Sequence, residues 1–213
     1  MISMIRFHLL HLLSVMMKNS SVREISYSSG LLSILPSLIH TEIYRKDSNK
    51  NKLPFRRYFY DLLYECIVAD GMNDFFKSPG FYNSTQDAIQ NVFDDDTETS
   101  IFNVVEALLP FDWEGLLKND IISEVYDRMN NGKKCRNKTN AGYLLLKFFD
   151  CVCQQNDVFC MNLIQDPDTA PYLAECALIA LSFTPDQALY FINVITKMMQ
   201  KSGSLKHAVL NIS

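Results

Sequence analysis

The sequence predicts an all-α fold. Apolar residues recur with a period near 3.6 in every apolar segment, which is typical of amphipathic helices. No window of four to eight residues flanked by turn signals alternates between apolar and polar side chains, as a half-buried strand would. The 213 residues include only 7 Gly and 7 Pro, and 48% of them are hydrophobic. We therefore expect long helices around a sizeable core, in a single domain over residues 1–213.

The first predicted helix covers residues 1–18. Its apolar side chains fall along one stripe: Ile5, Leu9, Leu12 or Leu13, and Met16. Arg6 interrupts the apolar stretch, whereas a signal peptide carries its charge first and an unbroken apolar region next. The stretch is also too short to span a bilayer. An amphipathic helix is the expectation, and a targeting segment is the alternative.

The next helices are bounded by recognisable caps and breakers. Ser20 or Ser21 can cap a short helix, with Glu24 as the capping-box partner, and Gly30 supplies its stop. A third helix is expected over 31–44, and the polar loop 45–54 follows it. The helix after the loop covers 56–69, with these residues facing inward: Phe59, Leu62, Leu63, Cys66 and Ile67.

The middle of the chain alternates short helices with polar breaks. Helices are expected over residues 72–76, 85–93, 101–109, 111–117 and 121–129. The first of them should stop at Lys77-Ser78-Pro79-Gly80. The acidic run 94–98 precedes the third, where the helix dipole favours negative charge. A second basic loop is expected over 130–138.

The stretch 141–181 is the most apolar part of the chain. Residues 141–153 are apolar on nearly every side, which indicates a helix buried on several faces. Apolar segments over 158–164 and 172–181 follow and are expected to share its core. A further helix should begin at Thr184-Pro185-Asp186 and cover 187–200, with one more beginning at 205–210.

One pattern recurs along the chain: a short apolar helix, a small polar breaker, and a longer apolar helix. The breakers contain Gly30, Gly80, Asp120, Pro167 and Gly203, which are spaced by 50, 40, 47 and 36 residues. These intervals bracket the period of roughly 40 to 47 residues of armadillo and HEAT units. One such unit cannot bury both sides of its helices, so stacking completes the core. Both ends of the chain are apolar, whereas terminal repeats need polar caps. Either the chain is one piece of a longer array, or a partner covers its ends.

Residues 23–39, Arg-Glu-Ile-Ser-Tyr-Ser-Ser-Gly-Leu-Leu-Ser-Ile-Leu-Pro-Ser-Leu-Ile, resemble the junction between the second and third helices of an armadillo repeat. In that family a short helix ends in glycine and an apolar helix with a leucine stripe follows. Residues 74–81 are similar. The resemblance covers most of the chain loosely. It implies an armadillo/HEAT-like α-solenoid of about four to five irregular repeats, with a concave binding face.

The cysteines predict a reducing compartment. There are six: Cys66, Cys135, Cys151, Cys153, Cys160 and Cys176. Four lie in apolar helical patterns, where a free cysteine behaves as a small hydrophobe. Cys151 and Cys153 point to different sides of a helix and cannot bond each other comfortably. We expect six free thiols and a cytoplasmic or nuclear protein.

No arrangement of residues indicates catalysis or a bound metal or cofactor. Cys151, Cys153 and Cys160 lack the spacing of a zinc knuckle. The acidic run 94–98 lacks the alternation and central glycine of a calcium loop. There is no glycine-rich phosphate loop or nucleophile signature. The sequence therefore predicts a non-enzymatic protein with no cofactor and no metal.

Candidate binding residues come from the two basic loops, 45–57 and 133–138, and from one aromatic side chain. They are Arg45, Lys46, Lys50, Lys52, Arg56, Arg57, Trp113, Lys133, Lys134 and Arg136. The loops either keep an apolar solenoid soluble or contact an acidic peptide or a phosphate. Trp113, together with Phe111, is either an anchor in a partner groove or part of the core. The net charge of −4 disfavours a globally nucleic-acid-binding surface.

These observations favour an interaction scaffold that holds a peptide or helix of a partner protein within a larger assembly, with no membrane contact. The alternative is a nucleic-acid-associated protein that acts through the basic loops. A helical enzyme with a site that the sequence does not reveal is a third interpretation.

The apolar helix over 141–153 yields a stability prediction. If Phe148 and Phe149 are buried, truncating either to Ala should cost about 3 to 5 kcal/mol of unfolding free energy. Charge reversal at Lys50 and Lys52 should change it by less than about 0.5 kcal/mol, because exposed substitutions are usually mild. Chemical denaturation measures both. If the lysine variants unfold while the phenylalanine variants melt like the wild type, then the buried and exposed residues have been assigned the wrong way round.

Overall fold

The computed structural model describes residues 2–30, 55–70, 76–92, 94–130, 138–156, 158, 162 and 184–201. In these residues there are helices and turns but no strand, so the all-α prediction is confirmed for them. The helices are α1 (Ile2–Met16), α2 (Ser20–Ser28), α3 (Phe55–Asp70), α4 (Pro79–Gln90), α5 (Asp95–Lys118), α6 (Ile121–Asn130), α7 (Lys138–Gln155) and α8 (Pro185–Lys201). The chain divides into two compact units, residues 1–124 and 125–213.

Helix α3 is the centre of unit 1. It packs most extensively against α5, then against α1, and also contacts α2. All five residues predicted to face inward are buried, at 2% exposure or less: Phe59, Leu62, Leu63, Cys66 and Ile67. Their spacing places them on one face of the helix. The period of the sequence thus identified the buried face of α3 correctly.

Helix α5 continues through a kink at Asp112, whose φ of −154° and ψ of 51° are not helical. Pro110 precedes the kink and cannot donate a helical hydrogen bond. After the kink, Asp112 acts as a new N-cap, because its Oδ1 accepts the backbone N–H of Gly115 at 3.1 Å. The hydroxyl of Tyr82 on α4 donates to Oδ2 of the same carboxylate. The segments expected as separate helices over 101–109 and 111–117 therefore lie in one element, α5, whose two helical parts are divided by this kink.

Helices α2, α4 and α5 start differently from the prediction, and capping explains each start. Helix α5 begins at Asp95 instead of residue 101, because Asp94 accepts the N–H of Thr97. Helix α4 begins at Pro79 instead of residue 85, because Ser78 accepts the N–H of Phe81 and Pro79 occupies the first turn. The sequence Ser78-Pro79-Gly80 therefore starts a helix. Helix α2 is capped by Asn19, whose Oδ1 accepts the N–H of Ser21 at 3.0 Å, and not by the serines.

Helix α1 turns an unexpected face to the rest of unit 1. Among its described side chains, Leu10 and Ser14 are buried at 3% exposure each, and Met17, which directly follows the helix, is 1% exposed. Of the stripe that the period selected, Leu9 and Leu12 are each 54% exposed and Met16 is 40% exposed, whereas the alternative Leu13 is half-buried. Nothing is described for the side chain of Ile5. The prediction failed here because α1 is apolar on nearly every side, so periodicity could not choose the inward face.

In unit 2, α7 is buried on several faces, as predicted for its sequence. The buried residues are Ala141, Gly142, Leu144, Leu145, Leu146, Phe148, Phe149, Asp150, Val152 and Cys153. Helix α8 packs on α7, burying Val194 and Met198. Thr184 and Gln187 exchange hydrogen bonds as a capping box at its start, as the Thr184-Pro185-Asp186 prediction anticipated.

The predicted breakers can be checked at three positions. Gly30 has a φ of 78° and follows α2, as expected. Asp120 has a φ of 59° and separates α5 from α6, a conformation that Asp tolerates better than most residues. Gly80 lies inside α4. The breakers at Pro167 and Gly203 fall outside the described residues, as do the helices predicted over 31–44, 172–181 and 205–210 and the loops 45–54 and 131–137. Most of 72–76 and 158–164 does so too.

The cysteines correct one expectation. Cys66 and Cys151 are thiols, but Cys153 is disulfide-bonded, and the cysteine that it bonds lies outside the described residues. The prediction of six free thiols is therefore wrong for Cys153. Sequence spacing excluded only a bond to Cys151 and gave no information on pairing between helices. Because disulfides are rare in reducing compartments, this bond does not support a cytoplasmic or nuclear location, which stays a prediction.

The contact between Asp112 and Tyr82 makes Gly115 a sensitive position. A Cβ added there would clash with Asp112 Oδ2 and lie 2.7 Å from the Tyr82 hydroxyl oxygen. Replacing Gly by Ala in a helix gains about 1 kcal/mol, but losing an N-cap costs about 1 kcal/mol and leaving the Tyr82 hydroxyl unpaired costs about 1 to 3 kcal/mol. We expect Gly115→Ala to lower the free energy of unfolding by about 1 to 3 kcal/mol, measured in urea.

Gly80→Ala is the matched control, because no atom lies within 4 Å of the added Cβ. Its free energy of unfolding should be unchanged or raised by up to about 1 kcal/mol. Equal stability of the two variants would show that the Asp112 cap does not constrain this turn.

Candidate functional site

The described members of the predicted basic surface are engaged within unit 1. Arg56 Nη2 lies 3.0 Å from Asp87 Oδ2, and Arg57 forms an ion pair with Asp96. Both arginines lie at the start of α3 and tie it to α4 and α5. The remaining predicted basic residues lie outside the described part of the chain: Arg45, Lys46, Lys50, Lys52, Lys133, Lys134 and Arg136. The structure therefore does not bring a basic patch together from the residues it describes.

Trp113, which was predicted to be either a partner anchor or part of the core, is only 5% exposed. It lies in the turn after the Asp112 kink, where α5 resumes. A side chain buried to this extent contributes to the core and is not available to fill a groove of another protein. Its neighbour Phe111 is 55% exposed, a difference that the kink produces and the sequence did not reveal.

An exposed apolar surface is present on α1. We call it the outer stripe: Leu9, Leu12, Val15 and Met16, which are 54%, 54%, 51% and 40% exposed. Spacings of three, four and seven residues place them on one face of the helix. Scattered exposed apolar residues are normal, whereas a contiguous group of large ones is typical of an interaction surface. The apolar period of α1 was the available signal for this surface, but it was interpreted as the core face.

A polar cleft of about 320 Å³ opens on unit 1 beside the end of α1. Helix α3 and helix α5 provide most of its walls. Its lining residues are Lys18, Arg57, Asp61, Tyr64, Glu65, Asp96, Thr99, Ser100 and Asn103. The volume lies at the lower end of the range of about 300 to 1,000 Å³ that small-molecule sites occupy.

Most charges in the cleft are compensated by neighbours. Arg57 pairs with Asp96, and Glu65 accepts from Arg23 on α2 at 3.3 Å. Asp61 differs, because its Oδ1 accepts the hydroxyl of Ser100 at 2.6 Å but forms no ion pair with any described residue. Lys18 likewise lines the cleft without an ion pair among the described residues. Among the described residues, the cleft thus contains one cation and one anion that form no ion pair.

Unit 2 contains a buried carboxylate at the α7–α8 contact. Asp150 accepts hydrogen bonds from Lys197 at 2.9 Å, from Tyr190 at 2.9 Å and from Gln154 at 2.8 Å. Its side chain is 8% exposed, whereas that of Lys197 is 49% exposed. Three donors leave this carboxylate little capacity to act as a base, so the arrangement ties α8 to α7.

Burial and hydrogen bonding act in opposite directions on Asp150. Burial raises its pKa, but the hydrogen bonds from Lys197, Gln154 and Tyr190, together with the Lys197 charge, outweigh burial and hold the pKa below its ordinary value. Burial, with a contribution from Asp150, raises the pKa of the adjacent Cys151 thiol. A raised pKa reduces the thiolate fraction at neutral pH, so Cys151 is a poor nucleophile.

The acidic run at the start of α5 has structural partners. Asp94 caps the helix by accepting the Thr97 N–H at 2.8 Å, Asp96 pairs with Arg57, and Glu98 is buried at 2% exposure.

Within the described residues, no group of three or more His, Cys, Asp or Glu side chains could hold a metal ion. A search of the same residues finds no helix with the length and apolar character needed to cross a membrane.

The Asp150 network predicts a defined pH dependence. Because its folded-state pKa is lowered, Asp150 contributes stability that is present above its unfolded-state pKa and is lost as pH falls through the folded-state value. The free energy of unfolding should therefore decline below about pH 4 in part through this group. Asp150→Asn should cost about 1 to 3 kcal/mol at neutral pH and make the acid decline shallower. Urea titrations from neutral to acid pH measure both effects.

Asp186→Asn is the control, since Asp186 is exposed in the first turn of α8. An acid decline that is equally steep in Asp150→Asn and wild type would show that Asp150 does not contribute to it.

Comparison with known proteins adds no relative: no family model, no curated protein and no solved structure matches the chain.

Proposed function

We propose that the protein is a non-enzymatic interaction module that binds an amphipathic helix of a partner protein on the outer stripe of α1. The proposal includes an armadillo/HEAT-like stacking of its helices, within a larger assembly. What supports it most directly is the outer stripe, where four large apolar side chains of one helix are 40% to 54% exposed. A partner that covered them would remove apolar surface from water at about 25 cal/mol per Å².

The opposite face of α1 makes the outer stripe a stable surface. Leu10 and Met17 are buried against the rest of unit 1, and His11 stacks on Tyr58 of α3 with ring centroids 4.3 Å apart. The helix is therefore anchored along one side while it exposes apolar groups along the other. A helix that is fixed before binding loses little conformational entropy when a partner helix docks, which favours affinity.

The nucleic-acid alternative receives less support. Its described arginines, Arg56 and Arg57, already pair with Asp87 and Asp96. A phosphate would have to displace these carboxylates, whereas nucleic-acid contacts gain affinity from cations that release counterions.

A site-specific crosslinking experiment tests the proposal. A photoreactive benzoylphenylalanine replaces Leu12 on the outer stripe, and in a matched variant it replaces Asn83, which is exposed on α4. Irradiation in cells should attach a discrete partner at position 12 and not at position 83. The crosslinked peptide identifies the partner segment, which we expect to have an apolar face with helical spacing.

Calorimetry with that purified segment measures the contribution of the stripe. Leu12→Asp should weaken binding by about 2 kcal/mol or more, roughly 30-fold, as loss of an interface hot spot does. Its melting temperature should stay close to that of the wild type, because Leu12 is 54% exposed. Unchanged affinity of Leu12→Asp, or equal crosslinking at positions 12 and 83, would contradict the proposal.

A further inference from the structure

We propose that the polar cleft of unit 1 binds a small zwitterion of the α-amino acid class, with Asp61 receiving its ammonium group and Lys18 its carboxylate. This site is separate from the outer stripe and does not rest on the interaction function. Its walls come from α3, α5 and the residues that follow α1.

The pattern of paired charges carries this inference. Arg57 and Asp96 neutralise each other, as do Arg23 and Glu65. These two pairs fix the walls of the cleft and leave it without a large net charge. Lys18 and Asp61 remain, of opposite sign, lining the same space but not joined in an ion pair. A ligand with both charges can form a charge-assisted hydrogen bond with each group, whereas a simple anion or cation can pair with only one of them.

The surroundings of Asp61 prepare it for an ammonium group. The Ser100 hydroxyl donates to Oδ1 at 2.6 Å, which fixes the carboxylate and leaves the second oxygen as a hydrogen-bond acceptor. Tyr64 and Asn103 line the same cleft and can donate or accept further hydrogen bonds to a ligand. The volume of about 320 Å³ admits an amino acid and excludes a large cofactor.

Titration of the full chain with each of the twenty free amino acids, followed by amide chemical shifts in NMR spectra, tests the proposal. We expect at least one amino acid to shift the amide signals of Ser100 and Asn103 in a saturable manner. Asp61→Asn, which keeps an oxygen for the Ser100 hydroxyl, and Lys18→Gln should each weaken binding about tenfold or more. Lys118→Gln and Asp95→Asn, exposed charges outside the cleft, should leave binding unchanged.

Two analogues of the bound amino acid assign each charge. The N-acetyl derivative lacks the ammonium group, so its binding should be weaker and insensitive to Asp61→Asn. The amide derivative lacks the carboxylate, so its binding should be weaker and insensitive to Lys18→Gln. Because both analogues are also tested on the wild-type chain, a variant that fails to fold does not remove the test.

Three results would overturn the inference. They are the absence of saturable shifts with any amino acid, equal binding of both analogues and the parent amino acid, and equal weakening in the cleft and control variants.

Discussion

Unit 1 depends on the burial of one face of α3. Leu62, Leu63 and Cys66 are completely removed from water, between helices that approach α3 from different directions. Burying a Leu or Phe side chain contributes about 1.5 to 3 kcal/mol, whereas an exposed ion pair contributes about 0 to 1 kcal/mol. The pairs of Arg56 with Asp87 and of Arg57 with Asp96 therefore do little for the stability of this core. Their effect is to fix the position of α3 relative to α4 and α5.

The distribution of apolar residues around each helix explains which buried faces could be predicted from the sequence. In α3 most apolar residues occupy one face, so the five residues that the period selected are all buried, although it missed Tyr60, which is 1% exposed. In α1 the apolar residues surround the helix, and its inward face was set by contacts with α3 that no local pattern encodes. Trp113 could be assigned to neither core nor surface, because its burial follows from the Asp112 kink. The Asp112 carboxylate at that kink accepts a hydrogen bond from Tyr82, which lies thirty residues earlier in the chain.

The partners of charged residues could not be predicted from the local sequence either. Arg56 and Arg57 belong to a basic run in the sequence, which indicated an external partner. Their carboxylate partners lie on α4 and α5, more than thirty residues away, so local charge counting could not find them. Asp61 was not predicted as a binding residue, because a single carboxylate in a helical sequence does not indicate a site. Its distinguishing property is the absence of an ion pair with the described residues in a cleft where the neighbouring charges are paired.

The outer stripe and the polar cleft are proposed to bind their ligands through different interactions, although both lie near the end of α1. The outer stripe consists of four apolar side chains, so binding there gains free energy by removing hydrocarbon from water and depends little on ionic strength. Binding in the cleft gains free energy from two exposed or half-exposed charges, and salt screens such interactions over about 10 Å at 0.1 M. The stripe can therefore hold a partner persistently at cellular salt. The cleft, open to solvent and only large enough for a small ligand, is suited to weaker and reversible occupancy.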